Sequence, residues 1–166
     1  MPPRTGADAQ LFATGVLNVD KAAGETSFAV VNRLRRLTKA TRVGHAGTLD
    51  PLATGVLPIL FESATRLAEF ALRLPKTYVA DIHFGFTTAT DDAEAPLEPA
   101  GDSGGLTEEA VRTALETFSG RILQEPPAFS AVKVEGKRAY KLARSGSTAR
   151  PAAREVEVYE ARLLDF

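Results

Sequence analysis

Asp50 is the only acid between Glu25 and Glu62, and it follows a stretch, Thr26 to Leu49, that holds five cations and no carboxylate. An isolated carboxylate among cations suits a nucleophile or a general base, both of which act in the ionised form. Asp50-Pro51 has a second reading, because aspartate as N-cap with proline at the first helical position also opens helices. His45 precedes Asp50 by five residues, within the glycine-punctuated run Arg42-Val-Gly-His-Ala-Gly-Thr-Leu-Asp-Pro51. Gly44 and Gly47 suggest a phosphate cradle, but no Gly-Lys-Ser/Thr ending follows, which excludes a P-loop. A hydrolytic triad of Asp50, His45 and Ser130 lacks any nucleophile-elbow motif. Tyr78 reads either as a core aromatic or as a platform on which a base can stack. His83 reads as a solvated side chain.

The elements that must position these residues follow from hydrophobic spacing. Gly15 to Asp20 predicts a short strand running into a turn at Gly24. A helix follows, capped near Thr26 or Ser27, with Phe28, Val31, Leu34 and Leu37 as its buried face. No period explains residues 42–51, which read as a loop. Gly55 to Phe61 predicts a buried strand, and Ser63 to Leu72 a short helix. Lys76 to Phe86 alternates cleanly and predicts a strand with Tyr78 near its start. Residues 87–105 are acidic and rich in Gly and Pro, as expected of a surface loop. Thr107 should cap a helix burying Val111, Leu115 and Phe118, ended at Ser119-Gly120. Gln124 to Pro127 is extended by its prolines. A strand over Ala128 to Val134, a turn at 135–137, a helix over Arg138 to Ser145 capped by Gly146, and a final strand over Arg154 to Leu164 complete the chain. Short links between strands indicate an α+β fold with a mixed, largely antiparallel sheet and flanking helices.

Composition narrows the functional classes. The 166 residues are 44% hydrophobic and 25% charged, which supports a folded core and excludes a disordered chain. Zero cysteines exclude disulfides and thiolate metal sites, and two histidines argue against a histidine metal centre, so no metal is expected. The longest apolar run, Val56 to Phe61, is too short for a membrane span, and the polar start has no signal-type segment. A cytoplasmic location without a membrane partner is expected. The net charge of −1 conceals a dipolar chain. Thr26 to Leu49 carries +5; Lys133 to Arg154 has seven bases against Glu135; Thr77 to Phe118 sets nine acids against Arg112. Basic faces bind phosphates locally whatever the total, because screening confines each field to roughly 8–10 Å.

Longer motifs carry a family resemblance. Gly44-His-Ala-Gly-Thr-Leu-Asp-Pro-Leu-Ala-Thr-Gly-Val-Leu57 closely resembles the signature of the TruB family of tRNA pseudouridine synthases. Gly15-Val-Leu-Asn-Val-Asp-Lys-Ala-Ala-Gly-Glu-Thr-Ser27 resembles that family's N-terminal motif. Lys76-Thr-Tyr78 with Gly85 to Asp92 resembles its tyrosine motif, and Gln124 to Gly146 a fourth block. The likeness runs from about Gly15 to Leu163. It implies conversion of uridine 55 in the TΨC arm of tRNA to pseudouridine, without metal or other cofactor and with no DNA partner, by an expected monomer. Asp50 falls on the catalytic aspartate, which either adds covalently to sugar or base or removes a sugar proton. Tyr78 falls on the tyrosine that stacks on the target base, and His45 on a histidine that contacts RNA at the flipped-out site. Lys21, in the N-terminal motif, is expected with His45 and Tyr78 among the substrate-binding residues, supporting the active-site loop more than doing chemistry.

The resemblance also implies what should follow. Family members continue into a segment of the form Lys/Ser-Gly-Thr-Tyr-Ile-Arg, whose arginine pairs with the catalytic aspartate, and commonly end in a PUA domain. Neither is in this sequence, so the expectation is a flexible segment over 1–14 and a C-terminally incomplete catalytic domain over 15–166. Ala22, Ala89 and Ala95 depart from the usual proline, aspartate and glycine. A catalytically silent RNA-binding fragment is the alternative to an enzyme.

Overall fold

The computed structural model describes residues 14–90, 92–128, 130, 132–134, 136–146 and 151–166. Most of the expected N-terminal segment, residues 1–13, lies outside them. The chain divides into two compact units between Ala80 and Asp81.

The first unit is a three-stranded antiparallel sheet with a helix on one face. Strand β1 (Gly15–Lys21) and strand β2 (Val43–His45) pair on either side of β3 (Gly55–Phe61). The register runs from Gly15 opposite Phe61 to Lys21 opposite Gly55 on one side, and from Val43 opposite Phe61 to His45 opposite Ile59 on the other. β3 is apolar throughout, and Leu57, Ile59, Leu60 and Phe61 are buried on its two faces, while Val56 near its start is exposed. Leu57, Ile59 and Phe61 join Val30, Val31 and Ala40 in the main core, with Leu17, Val19, Leu34, Val43 and Leu49 packed around them. Leu60 points the other way, onto Ala46 and Ala64.

Helix α1 (Ser27–Thr38) starts where expected. Thr26 is its N-cap, and its hydroxyl accepts from Ala29 N at 3.1 Å. The helix stops at Lys39, whose left-handed φ of 55° ends the helical path. Its buried face differs from the expected one. Val30 and Val31 are buried together with Ser27 and Thr38, whereas Phe28 and Leu37 are about two-thirds exposed at 64% and 65%. A 3₁₀ turn (Glu62–Leu67) and helix α2 (Ala68–Leu72) take the place of the single helix expected over Ser63 to Leu72.

The strand expected over Lys76 to Phe86 does not form. Residues 75–83 have no regular structure, and only Phe86–Thr87 (β4) is strand, paired with Glu98–Pro99 (β5). Alternation fixes the two faces a strand would have, but a strand also needs an edge to pair with. Ala100 N donates to Gly85 O at 2.9 Å, and among the described residues no strand pairs with 76–84.

In the second unit, β4 and β5 interrupt an otherwise irregular acidic segment. Helix α3 (Glu108–Glu116) is capped by Thr107 as expected, but Phe118 lies beyond it and is half exposed. Gly120 then turns at a φ of 86° directly into β6 (Gly120–Gln124), which pairs antiparallel with β9 (Arg154–Val158). β9 is shorter than the strand expected to Leu164. A tight hairpin, β7 (Lys133–Val134) and β8 (Lys137–Arg138), leads into helix α4 (Ala139–Arg144). Every described strand pair is antiparallel, so the α+β class holds.

Candidate functional site

The loop that carries Asp50 leaves the sheet at the end of β2. Ala46 N donates to Pro58 O at 2.9 Å, one step past the last β2 pair. In an antiparallel ladder a residue's N–H and C=O face the same neighbour. The N–H that Pro58 lacks therefore also faces the β2 side, where the chain is already departing. A proline inside a central strand is tolerated here because its missing donor coincides with the exit of the loop. Gly47, at a φ of 124°, turns the chain away from the sheet in a conformation that disfavours other residues.

The loop is then fastened on both sides of Asp50. On the N-terminal side, Leu49 packs against the α1–sheet core. Its backbone makes two bonds with one hydroxyl: Leu49 N donates to Ser27 Oγ at 2.9 Å, and Ser27 Oγ donates to Leu49 O at 3.0 Å. On the C-terminal side, Pro51 O accepts from Gly24 N at 2.8 Å and from Lys21 Nζ at 3.3 Å. Lys21 is fully buried, and its other two donors meet Ala22 O and Glu25 O, each at 2.8 Å. Gly24 adopts a φ of 86°, and nothing within 4 Å would obstruct a side chain. Its backbone conformation, not lack of space, calls for glycine.

Asp50 itself is exposed. Its carbonyl accepts from Ala53 N at 3.1 Å, closing a four-residue turn with Pro51 at the second position, a favoured place for proline. No helix follows, so Asp50 is not a helix cap. Among the described residues its carboxylate makes no hydrogen bond or ion pair.

The structure thus gathers Lys21, Asp50 and the end of β2 around one loop. His45 is half-buried at that end of β2; its Nδ1 is shielded and has no hydrogen-bond partner among the described residues. Tyr78 is 73% exposed in the irregular segment after α2, and no hydrogen bond or ion pair among the described residues ties it to the loop. Three residues that shape the loop, Ser27, Leu49 and Gly24, carry no functional role that sequence alone assigns. Two of them leave a signal. Thr26 already supplies a cap, which makes the second hydroxyl at Ser27 surplus, and Leu49 is the one large aliphatic between Val43 and Leu52.

The basic stretch is partly neutralised. Arg33 makes a two-pronged pair with Glu25, Nη1 to Oε2 at 2.9 Å and Nη2 to Oε1 at 3.1 Å. Arg35 donates to the neutral Asn32 side chain at 2.8 Å, keeping its charge exposed. Among the described residues no group of three or more His, Asp or Glu is arranged to hold a metal ion, and no helix is long and apolar enough to cross a membrane.

Comparison with known proteins places these residues in a family context. Residues 35–166 match a family model described as TruB family pseudouridylate synthase, N-terminal domain. The chain is similar to tRNA pseudouridine synthase B of Trichormus variabilis, 49% identical over 152 residues that cover 92% of this chain and 52% of that protein. It is similar at 49% identity to the protein of the same name from Thermobifida fusca, covering 93% of this chain and 53% of that one. The chain spans about half the length of the curated relatives it matches. Among solved structures, the crystal structure of a Cbf5–Nop10–Gar1 complex superposes with a TM-score of 0.56 at 27% identity, over 95% of this chain and 36% of that one.

Proposed function

The chain belongs to the TruB family of pseudouridylate synthases, and on that premise we propose that it is a tRNA pseudouridine synthase acting on uridine 55 of the TΨC arm, with Asp50 as its catalytic carboxylate. The observation that carries this reading is the exposed Asp50 carboxylate on a backbone fastened at both neighbouring residues. Chemistry at a glycosidic bond needs a carboxylate that reaches the sugar and returns to one position, and the two anchored flanks supply that repeatability.

The target nucleotide is inaccessible while stacked, so it must leave the arm at a cost of a few kcal/mol. Stacking on an exposed aromatic such as Tyr78 returns about 1–3 kcal/mol. Asp50 then acts on the extruded uridine, either by covalent addition or by removal of a sugar proton; the N1–C1′ bond breaks, the base turns, C5 bonds to C1′, N1 takes up a proton, and the C5 hydrogen leaves to solvent. His45, at the end of β2, contacts the RNA beside the flipped nucleotide. Lys21 does no chemistry and holds Pro51 in place. Exposed cations of the first basic stretch supply the salt-dependent grip on phosphates. The active species is a cytoplasmic monomer.

Release of tritium from 5-tritiated uridine in tRNA tests the proposal. The unaltered chain is expected to release it and Asp50→Asn to abolish release. A chain that binds tRNA and releases none would instead be a silent RNA-binding module.

A further inference from the structure

We infer that Ser27 is a positioning residue for Asp50, an inference that rests on the catalytic reading of that carboxylate. Ser27 is the first residue of α1 and only 3% exposed. A hydroxyl at a helix start ordinarily serves the helix's own free N–H groups. Here Thr26 performs that service, accepting from Ala29 N. The Ser27 hydroxyl turns away from its own helix and closes a ring of two hydrogen bonds with Leu49.

Two bonds to one residue fix more than a distance. Leu49 O belongs to the peptide plane whose nitrogen is that of Asp50, so the hydroxyl sets the orientation of that plane as well as its place. On the far side of Asp50 stands the Pro51 ring, with its own φ locked and its carbonyl held by Gly24 and Lys21. The Asp50 Cα lies between an anchored peptide and a rigid ring. The carboxylate has no side-chain partner among the described residues, so the hold on it that the structure shows is through this backbone, which sets the direction of the Asp50 Cα–Cβ bond. Loss of the Ser27 hydroxyl leaves the Leu49 N–H and C=O without their partner and frees the 49–50 peptide to rotate.

Three variants separate positioning from stability. Ser27→Ala removes both bonds, Ser27→Cys keeps the shape with a much weaker donor and acceptor, and Thr26→Ala removes the helix cap one residue earlier without touching Leu49. Tritium release, measured well below each variant's Tm, is expected to show kcat down about 10- to 100-fold for Ser27→Ala with KM changed less than about twofold. Ser27→Cys should lie between, and Thr26→Ala should stay within about twofold of the unaltered chain. In ¹⁵N spectra of the free protein, Ser27→Ala should speed exchange of the Leu49 amide roughly tenfold and broaden the Asp50 amide, with β1 and β3 still protected. Ser27→Cys equal to serine would assign the site to packing and overturn the inference, as would an unchanged Asp50 resonance in Ser27→Ala. Release retained by Asp50→Asn would remove the catalytic reading instead, while the exchange data still report whether Ser27 holds the loop.

Discussion

Lys21 Nζ offers three donors, and the chain supplies three carbonyls, from Ala22, Glu25 and Pro51, around a site with no solvent exposure. Two of these acceptors lie in the turn after β1 and one lies beside Asp50, so the side chain fastens two motifs thirty residues apart in sequence. The site is matched to a compact ammonium; a planar guanidinium is larger and spreads its donors in one plane. Lys21→Met keeps the aliphatic stem and removes every donor. It should lower stability by about 1–3 kcal/mol, with urea unfolding as the measure. Lys21→Arg should also be destabilised despite its positive charge. If arginine matched lysine, the site would be selecting charge, not shape. Asp50, His45 and Lys21 can all be picked out from residue type and motif. The hold on Asp50 cannot, because a hydrogen bond between Ser27 and Leu49 joins residues twenty-two apart through a fold that must exist first.

Elements are legible where local signals agree and lost where pairing decides. β1, β3, the Thr26 and Thr107 caps and the Gly146 turn follow from short-range chemistry and lie close to where residue patterns put them. The strand over Lys76 to Phe86 has the cleanest alternation in the chain, yet alternation carries no information about a partner edge. For α1 the difficulty is phase. Phe28, Val31, Leu34 and Leu37 form one helical stripe, and Ser27, Val30, Val31, Leu34 and Thr38 form another rotated from it; the sheet covers the second. Two small polar residues on the covered face hide it from a hydrophobic reading. Ser27 is there to bond Leu49, and the Thr38 hydroxyl donates to Leu34 O at 2.8 Å. The phase is directly testable. Val30→Ala, at a fully buried position, should cost about 1.5–3 kcal/mol. Phe28→Ala removes a larger side chain and should cost less than about 0.5 kcal/mol, since most of that ring already faces solvent. Comparable losses from the two in urea unfolding would mean that the helix packs in the other phase.

At the scale of the whole molecule, the net charge of −1 is a poor guide to RNA affinity, because what matters is which cations are free to meet phosphates. The +5 of the stretch from Thr26 to Leu49 overstates its first unit's available charge. Arg33 is engaged by Glu25 in a two-pronged pair, a geometry that arginine and carboxylate favour, and its positive charge is matched locally. Among the described residues Arg35 has only a neutral amide partner, and Arg36 beside it in the last turn of α1 is also exposed. Counterion release turns this difference into a measurable slope. Every phosphate that the protein ceases to neutralise should flatten the plot of log affinity against log salt by about 0.7–0.9. The double variant Arg35→Gln with Arg36→Gln should therefore flatten the slope for tRNA by about 1.4–1.8 between 50 and 200 mM salt, read by fluorescence anisotropy. Arg33→Gln should leave the slope nearly unchanged, because the charge it removes is already matched by Glu25. An equal flattening from Arg33→Gln would show that the Glu25 pair opens when RNA arrives, adding Arg33 to the cations that meet phosphates.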